Sequence, residues 1–138
     1  MFDQPHVVAQ AQPIIEAAGL SERCATVGAD FFTDALPAAD VYVLAQILHD
    51  WDDEQALAIL RNCRRSIAPG GRLLLLEQVM PDGDTPSYAK LLDLVMLVLL
   101  GGKERTESEW RILLEAGGFE LLAITARPAT NLIEAAPA

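Results

Sequence analysis

The apolar run Val41–Leu48 is the feature that most constrains the fold of this chain. It is short, partly β-branched and preceded by a Pro-Ala-Ala-Asp turn, which predicts a buried strand over Asp40–Leu48. An amphipathic helix is predicted next, over Asp52–Ala68, with acidic residues in its first turn and arginines near its end. The strongly apolar Arg72–Met80 then predicts a strand covered on both faces. Strand, helix and strand in succession indicate an α/β domain.

The rest of the chain adds further helices and strands without internal repeats. Helices are predicted at Val8–Ala18, where Pro13 should cause a kink or a late start, at Ser87–Leu100 and at Glu107–Ala116, and strands at Ala25–Phe32, Phe119–Arg127 and Asn131–Ala136. Thr106, followed three residues later by Glu109, matches a capping box at the start of the last helix. The order of elements predicts a three-layer, mostly parallel α/β domain.

Composition excludes several classes of partner. The chain has 138 residues, 51% of them hydrophobic, and a formal net charge of −10. No basic patch is available, so nucleic acid and membrane surfaces are not expected partners. Cys24 and Cys63 have no metal-type spacing, and both are expected to be buried, reduced thiols of a cytoplasmic protein. No signal-peptide pattern is present, and the apolar run Leu91–Leu100 is too short to span a bilayer.

Three ionisable residues stand at the ends of predicted strands or helices. His49 ends the apolar run, Glu77 follows four leucines, and Glu104 follows a double glycine. In open α/β sheets, ligands bind outside the carboxyl ends of the strands, where His49 is expected. A carboxylate that accepts a hydrogen bond from one imidazole nitrogen leaves the other nitrogen free to take a proton. The pattern is therefore suited to general-base chemistry.

Other interpretations of these residues stay open. His49 alone is as well explained by capping of the next helix or by filling a corner of the core. Glu104 alone is explained by an ion pair with Lys103 or Arg105 on the surface. Asp3 alone is explained as a solvated carboxylate near the terminus. Spacing does not establish that the three candidate groups converge.

Several short motifs occur in a fixed order along nearly the whole chain. They are Phe2-Asp3-Gln4-Pro5-His6-Val7, Gly28-Ala29-Asp30-Phe31-Phe32, Leu36-Pro37-Ala38-Ala39-Asp40, Ile47-Leu48-His49-Asp50-Trp51, Pro69-Gly70-Gly71, Glu77 and Gly101-Gly102-Lys103-Glu104-Arg105-Thr106. Together they resemble the S-adenosylmethionine-dependent small-molecule O-methyltransferases, which include plant caffeate and isoflavone O-methyltransferases and bacterial enzymes of pigment and antibiotic tailoring. The resemblance implies a partial Rossmann-like methyltransferase domain over 1–138, with a mostly parallel sheet and an antiparallel C-terminal strand pair.

The resemblance also implies roles for single residues in binding the cofactor S-adenosylmethionine. Asp3 matches the acid that binds the ribose hydroxyls of this cofactor. Asp30 and Phe31 match the pair that holds its adenine, the first by a hydrogen bond and the second by contact. Met96 matches a position on a helix that lines the substrate.

Further roles implied by the resemblance concern methyl transfer to a hydroxyl, expected to be a phenol of a small aromatic or polyketide-like molecule. His49 matches the general base that deprotonates the acceptor. Glu77 and Glu104 match the two carboxylates that flank and orient the base, and Asp50 matches a supporting position beside it.

The chain also departs from the family pattern. No glycine-rich cofactor loop precedes Asp3, the N-terminal dimerisation domain is missing, and Ala45 stands where plant members often have a lysine. Without the strand that normally lies mid-sheet, Ala25–Phe32 is expected to lack a neighbour. Catalysis is therefore expected only as part of a longer enzyme, and a homodimer is compatible with the resemblance. The alternative is a non-catalytic, methyltransferase-like remnant that acts as a dimerising or protein-binding module.

Overall fold

The computed structural model describes residues Met1–Ala138, which divide into two units, Met1–Leu36 and Pro37–Ala138. In chain order the elements are β1 (Phe2–Asp3), α1 (Pro5–Ala17), β2 (Val27–Gly28), β3 (Ala39–Ala45), a 3₁₀ turn (Leu48–Asp50), α2 (Asp53–Ser66), β4 (Ile67–Glu77), β5 (Val79–Met80), α3 (Tyr88–Leu99), β6 (Arg105–Thr106), α4 (Glu107–Ala116), β7 (Phe119–Thr125) and β8 (Asn131–Pro137). The predicted α/β fold is confirmed.

The first unit is a small β-α-β arrangement. Strands β1 and β2 pair in parallel, with Phe2 opposite Val27 and Asp3 opposite Gly28. The expectation that the second strand lacks a neighbour is therefore wrong. The strand is nevertheless shorter than the predicted Ala25–Phe32, because β1 offers only two residues for pairing.

Helix α1 begins earlier than predicted. Pro5 stands in its first turn, where a missing backbone N–H costs no hydrogen bond. Pro13 lies inside the helix rather than at its start. The proline that matters for the helix boundary is thus Pro5.

The second unit is built on a four-stranded mixed sheet in the order β3-β4-β8-β7. Strands β3 and β4 are parallel, and β8 is antiparallel to both of its neighbours. The antiparallel C-terminal strand pair predicted from the sequence is confirmed. Strands β5 and β6 form a separate parallel pair.

The core of the second unit lies on one face of this sheet, beneath α2 and α4. Buried side chains of the sheet and the two helices meet there; they include Leu73, Leu75, Phe119, Ile133, Ile59, Leu60, Trp110 and Leu114. On one face of β3, Val41 and Val43 are 48% and 57% exposed. On the other face, Tyr42 and Leu44 are only partly buried. The apolar run does form a strand, but the prediction that this strand is buried is wrong for this chain.

Boundaries around β4 differ from the prediction for local reasons. Helix α2 ends at Ser66, because Ile67 already pairs with Ala39. Gly71 then passes so close to β3 that a Cβ would lie 2.6 Å from the Asp40 carbonyl oxygen. The strand predicted to reach Met80 stops at Glu77, and Val79 and Met80 pair with β6 instead.

Two simple expectations can be compared with the structure directly. Cys63 is buried as expected, whereas Cys24 is only partly buried. The helices fall short of the length and hydropathy that crossing a membrane requires.

Candidate active site

The site begins with a sharp change of direction after β3. Gln46 has a φ of +53°, and its N–H donates to the Leu76 carbonyl at 2.9 Å. The strand expected to run to Leu48 therefore ends at Ala45. His49 lies in the middle of the 3₁₀ turn Leu48–Asp50 rather than on the strand.

Glu77, the last residue of β4, shapes this turn. Its Oε1 accepts hydrogen bonds from the backbone N–H groups of Ile47 at 3.0 Å and Leu48 at 2.9 Å. The first N–H groups of a helical turn have no partner within the turn, so the carboxylate satisfies them. The other oxygen, Oε2, lies 3.5 Å from His49 Nδ1 and is buried without a hydrogen-bond partner.

Glu104 makes the closest carboxylate contact with His49. Its Oε1 lies 3.1 Å from Nδ1, and the residue is only 1% exposed. Its own backbone N–H donates to Asp93 Oδ1 at 2.9 Å, which ties it to helix α3. The alternative of an ion pair with Lys103 or Arg105 is wrong, because both cations pair with Asp53.

The segment Gly102–Arg105 wraps around the His49 turn. A Cβ at Gly102 would lie 2.1 Å from the His49 carbonyl oxygen, so only glycine fits there. The Lys103 N–H donates to that same carbonyl at 3.0 Å. Through these contacts the segment that carries Glu104 is fixed directly against the turn that carries His49.

Asp50 contacts the opposite side of the imidazole. Its Oδ1 lies 3.3 Å from His49 Nε2, and its side chain is 38% exposed. The alternative role of His49 as a helix cap is wrong, because Asp52 caps α2 by accepting from the Gln55 N–H. The structure thus brings His49, Glu77, Glu104 and Asp50 together.

These contacts determine the electrostatics of the imidazole. The hydrogen bond with Glu104 raises the pKa of His49, burial acts against it, and the charges of Glu77, Glu104 and Asp50 add to the rise. The net pKa lies above the ordinary value of 6.5. His49 is therefore a stronger base than a solvated histidine.

Glu77 is shifted in the same direction for a different reason. Burial raises the pKa of its carboxyl to about 7, even though His49 and the two backbone N–H groups favour the ionised form. The nearby charge of Glu104 raises it further. Glu77 and His49 therefore form a coupled pair, in which protonation of one group affects the pKa of the other.

A neutral imidazole in this setting has one suitable tautomer. With its proton on Nδ1, it donates to Glu104 and keeps the lone pair of Nε2 for a proton from elsewhere. The buried carboxylates then stabilise the imidazolium that forms. The arrangement can act as a general base.

Candidate cofactor residues in the first unit share one edge of its sheet. Asp3 ends β1, and Asp30 and Phe31 follow β2, so all three lie at the carboxyl ends of paired parallel strands. Asp3 Oδ1 accepts from the Gln4 N–H, and Asp30 Oδ1 accepts from the Phe32 N–H. Each carboxylate can accept further hydrogen bonds, so these two acceptors suit the hydroxyl groups of a ribose and the amino group of an adenine.

Met96 lies on α3 and is 8% exposed. It stands three residues after Asp93, so both lie on the same face of the helix. Because Asp93 bonds to the Glu104 backbone, this face is the one that looks toward the His49 site. The position is compatible with a substrate-lining role.

Sequence reasoning missed two residues of this site. Asp93 is a charged residue in the otherwise apolar Leu91–Leu100, and that interruption was the available signal. Arg105 is fully buried and donates to the Leu48 and Trp51 carbonyls on either side of His49. Nothing in its local sequence distinguishes it from a surface arginine.

Comparison with known proteins places this geometry in a family. Residues 1–120 match the model of the O-methyltransferase domain. The chain belongs to the O-methyltransferase domain family. It is 46% identical to the phenazine O-methyltransferase PhzM of Lysobacter antibioticus over 138 residues, which cover 99% of this chain and 40% of that protein.

Solved O-methyltransferases have the same fold. One is NcsB1 from neocarzinostatin biosynthesis, in complex with S-adenosylmethionine and 2-hydroxy-5-methyl naphthoic acid, with a TM-score of 0.89 and 35% identity over 99% of this chain and 40% of that one. Another is human N-acetylserotonin methyltransferase in complex with S-adenosylmethionine, with a TM-score of 0.88 and 33% identity over 99% and 39%. The chain spans about two fifths of the length of these relatives.

Proposed function

We propose that residues 1–138 form part of the catalytic domain of an S-adenosylmethionine-dependent O-methyltransferase and act within a longer enzyme, since the chain spans about two fifths of its relatives' length. The observation that carries this proposal is the contact between His49 Nδ1 and Glu104 Oε1 at 3.1 Å, with Glu77 Oε2 at 3.5 Å. A base oriented in this way is what a hydroxyl acceptor needs in order to become a nucleophile. Membership of the O-methyltransferase family supports the same reaction.

Three residues of the first unit are proposed to hold the cofactor. S-adenosylmethionine, when bound, supplies the electrophilic methyl group. Asp3 is proposed to accept hydrogen bonds from its ribose, and Asp30 and Phe31 are proposed to hold its adenine. The shared edge of β1 and β2 supports this assignment, because parallel strands bind nucleotides at their carboxyl ends.

His49 is proposed to take the proton of the acceptor hydroxyl at Nε2. A phenol has a pKa of about 10, and a base whose pKa is raised above that of an ordinary imidazole can accept its proton as the oxygen attacks. Glu104 keeps the proton of the neutral ring on Nδ1 and stabilises the imidazolium. In this structure Asp50 contacts Nε2, so the acceptor hydroxyl must take the place of this partly exposed carboxylate.

The acceptor is proposed to be a small aromatic molecule with a hydroxyl group. The relatives' names mention phenazine and 3-amino-4-hydroxybenzoate, and NcsB1 was solved with a naphthoic acid. Met96 is the proposed apolar contact within this chain. A hydroxyl on an aromatic ring is also more acidic than that of an aliphatic alcohol. A histidine is therefore a strong enough base for this acceptor.

A chimera tests the reaction. This chain would replace the matching part of PhzM from Lysobacter antibioticus, and methyl transfer from labelled S-adenosylmethionine to a hydroxyphenazine would be measured. We expect His49→Ala to abolish transfer and to leave cofactor affinity nearly unchanged, since His49 acts on the acceptor. His6→Ala, which removes the other histidine, is the control. Equal activity of His49→Ala and the parent chimera would remove His49 as the base.

Calorimetry on the 138-residue chain tests the cofactor residues. We expect weak or no binding of S-adenosylhomocysteine, because no glycine-rich loop is present in the sequence. Micromolar binding that is lost in Asp30→Ala would mean that the loop is dispensable. No binding by the chain, together with an inactive chimera and a folded circular dichroism spectrum, would favour a non-catalytic module.

A further inference from the structure

We propose that Arg105 is a positioning residue for His49, which holds the carbonyl groups on both sides of the histidine and so fixes the imidazole against Glu104. The significance of this for proton transfer rests on the proposed function. The positioning itself is a property of this chain and can be tested without methyl transfer.

The guanidinium of Arg105 uses its whole hydrogen-bonding capacity. Nη1 donates to the Leu48 carbonyl at 2.9 Å and to the Lys103 carbonyl at 3.4 Å, and Nη2 donates to the Trp51 carbonyl at 3.0 Å. Nε and Nη2 both donate to Asp53 Oδ1, at 3.0 and 2.8 Å. These five bonds match the five N–H groups of a guanidinium, whose planar fork fixes their directions.

The guanidinium is itself held firmly. Its carbon lies 5.3 Å from the centre of the Trp110 ring, and the side chain has no exposed surface. Burial alone would raise the pKa of Asp53, but hydrogen bonds and charges from Arg105 and Lys103 outweigh it, so the pKa is lowered. Asp53 therefore stays ionised at the start of α2 and anchors the arginine to that helix.

The bonded carbonyls bracket the imidazole-bearing turn. Leu48 directly precedes His49, and Trp51 directly follows Asp50, so a single rigid group defines both ends of the 3₁₀ turn. Arg105 is also the chain neighbour of Glu104, the closest partner of Nδ1. Both halves of the His49–Glu104 contact thus depend on the same side chain.

Stability alone gives a weak reason for this arrangement. The buried guanidinium has lost its solvation, and its partner Asp53 is 62% exposed, so the ion pair repays little of that loss. Well-packed apolar residues are often as stabilising as a buried charge, or more so. An apolar side chain could not form hydrogen bonds to the Leu48 and Trp51 carbonyls, whereas the arginine fixes the orientation of both. These bonds are therefore better explained by positioning of the turn than by a gain in stability.

The test is an NMR titration of the His49 Cε1–H signal in the 138-residue chain, in its native sequence and as Arg105→Lys and Arg105→Met. The ionisable groups that face His49 are Glu77 from β4, Glu104 from the segment before β6 and Asp50 from its own turn. His6 is the only other histidine, so its signal is an internal reference. Arg111→Met makes the same chemical change at an exposed ion pair and is the matched control.

The expected result is a fall of the His49 pKa toward 6.5 in both Arg105 variants and no change in Arg111→Met. The reason is that the Glu104 hydrogen bond is the largest cause of the raised pKa, and it is lost when the turn moves. Loss of the arginine's positive charge by itself can only raise the pKa. A fall of the His49 pKa therefore indicates loss of positioning, whereas a rise indicates only the loss of the positive charge.

An unchanged or higher His49 pKa in a folded Arg105 variant would overturn the proposal. Folding is checked by circular dichroism. If both variants fail to fold, Asp53→Glu takes their place, since it keeps the negative charge but displaces the carboxylate that anchors the guanidinium. The His49 pKa should again fall, and an unchanged value would count against the proposal. The titration needs neither cofactor nor acceptor, so an inactive chimera would not affect its outcome.

Discussion

Gly102→Ala should destabilise the second unit far more than the same change at the neighbouring glycine. A Cβ at Gly102 would lie 2.1 Å from the His49 carbonyl oxygen and 2.5 and 2.8 Å from the carbonyl carbon and oxygen of Asp50. All three atoms belong to the backbone, so no side-chain rotation can relieve the overlap. The turn would have to retreat until the shortest distance reaches ordinary contact at about 3.4 Å.

The expected losses of stability differ because Gly102→Ala causes overpacking, whereas Gly101→Ala only strains the backbone. Overpacking typically costs about 1–3 kcal/mol, and the rigid backbone contact puts Gly102→Ala at the upper end, about 3 kcal/mol. Gly101 has a φ of +76° and nothing within 4 Å of the added carbon. Gly101→Ala therefore carries only the left-handed backbone cost, about 1 kcal/mol.

Urea denaturation measures the difference. Trp51 and Trp110 both lie in the second unit and report its unfolding by fluorescence. With a slope of about 2 kcal/mol per molar urea, the midpoint should fall by about 1.5 M for Gly102→Ala and by about 0.5 M for Gly101→Ala. Equal midpoints for the two variants would refute the close packing of Gly102 against the His49 turn.

Other predictions concern pH, capping and the core. Burial raises the pKa of Glu77 from 4.5 to about 7, so the folded state binds a proton more tightly than the unfolded state does. The resulting contribution to the free energy of unfolding is fully present below pH 4.5 and is lost as the pH rises through 7. Glu77→Gln, whose Oε1 still accepts the two backbone bonds, should flatten the fall of the unfolding free energy with pH, measured by urea denaturation from about pH 5 to 8, and an unchanged slope would contradict the shift. Thr106→Ala removes the cap of α4 and should cost about 1 kcal/mol by thermal unfolding, whereas Thr85→Ala in a loop should cost almost nothing. Leu75→Ala, at a fully buried position, should cost about 2–5 kcal/mol, and the exposed Leu97→Ala much less; similar costs would contradict the assigned core.

Helix positions were predictable where the signals were local. The capping box at Thr106 and Glu109 predicted α4 with its observed bounds, because both partners lie within one turn. The start of α2 was predicted to within one residue, at Asp52, which caps the helix in the structure. The apolar runs likewise located β3 and β4, although only β4 contributes buried apolar side chains to the core.

Features that depend on distant partners were not predictable. The end of β3 is determined by Gln46 in a left-handed conformation and by Glu77, which is distant in sequence and accepts the freed N–H groups. The shortness of β2 is determined by its partner β1. The carboxylates around His49 were implied by family resemblance, whereas the role of Arg105 becomes visible only when its buried bonds are seen.

The wrapping of the His49 turn by Gly102–Arg105 has a consequence for protein synthesis. Arg105 reaches Leu48 across 57 positions of the chain, and Glu104 reaches His49 across 55. Such distant contacts close large loops, which costs chain entropy and slows their formation. A nascent chain that has emerged only as far as β4 already carries His49 and Glu77 but lacks Glu104 and Arg105. The proposed base is therefore fully oriented only after residue 105 has been synthesised, and a polypeptide interrupted earlier would lack the closest carboxylate partner of the imidazole.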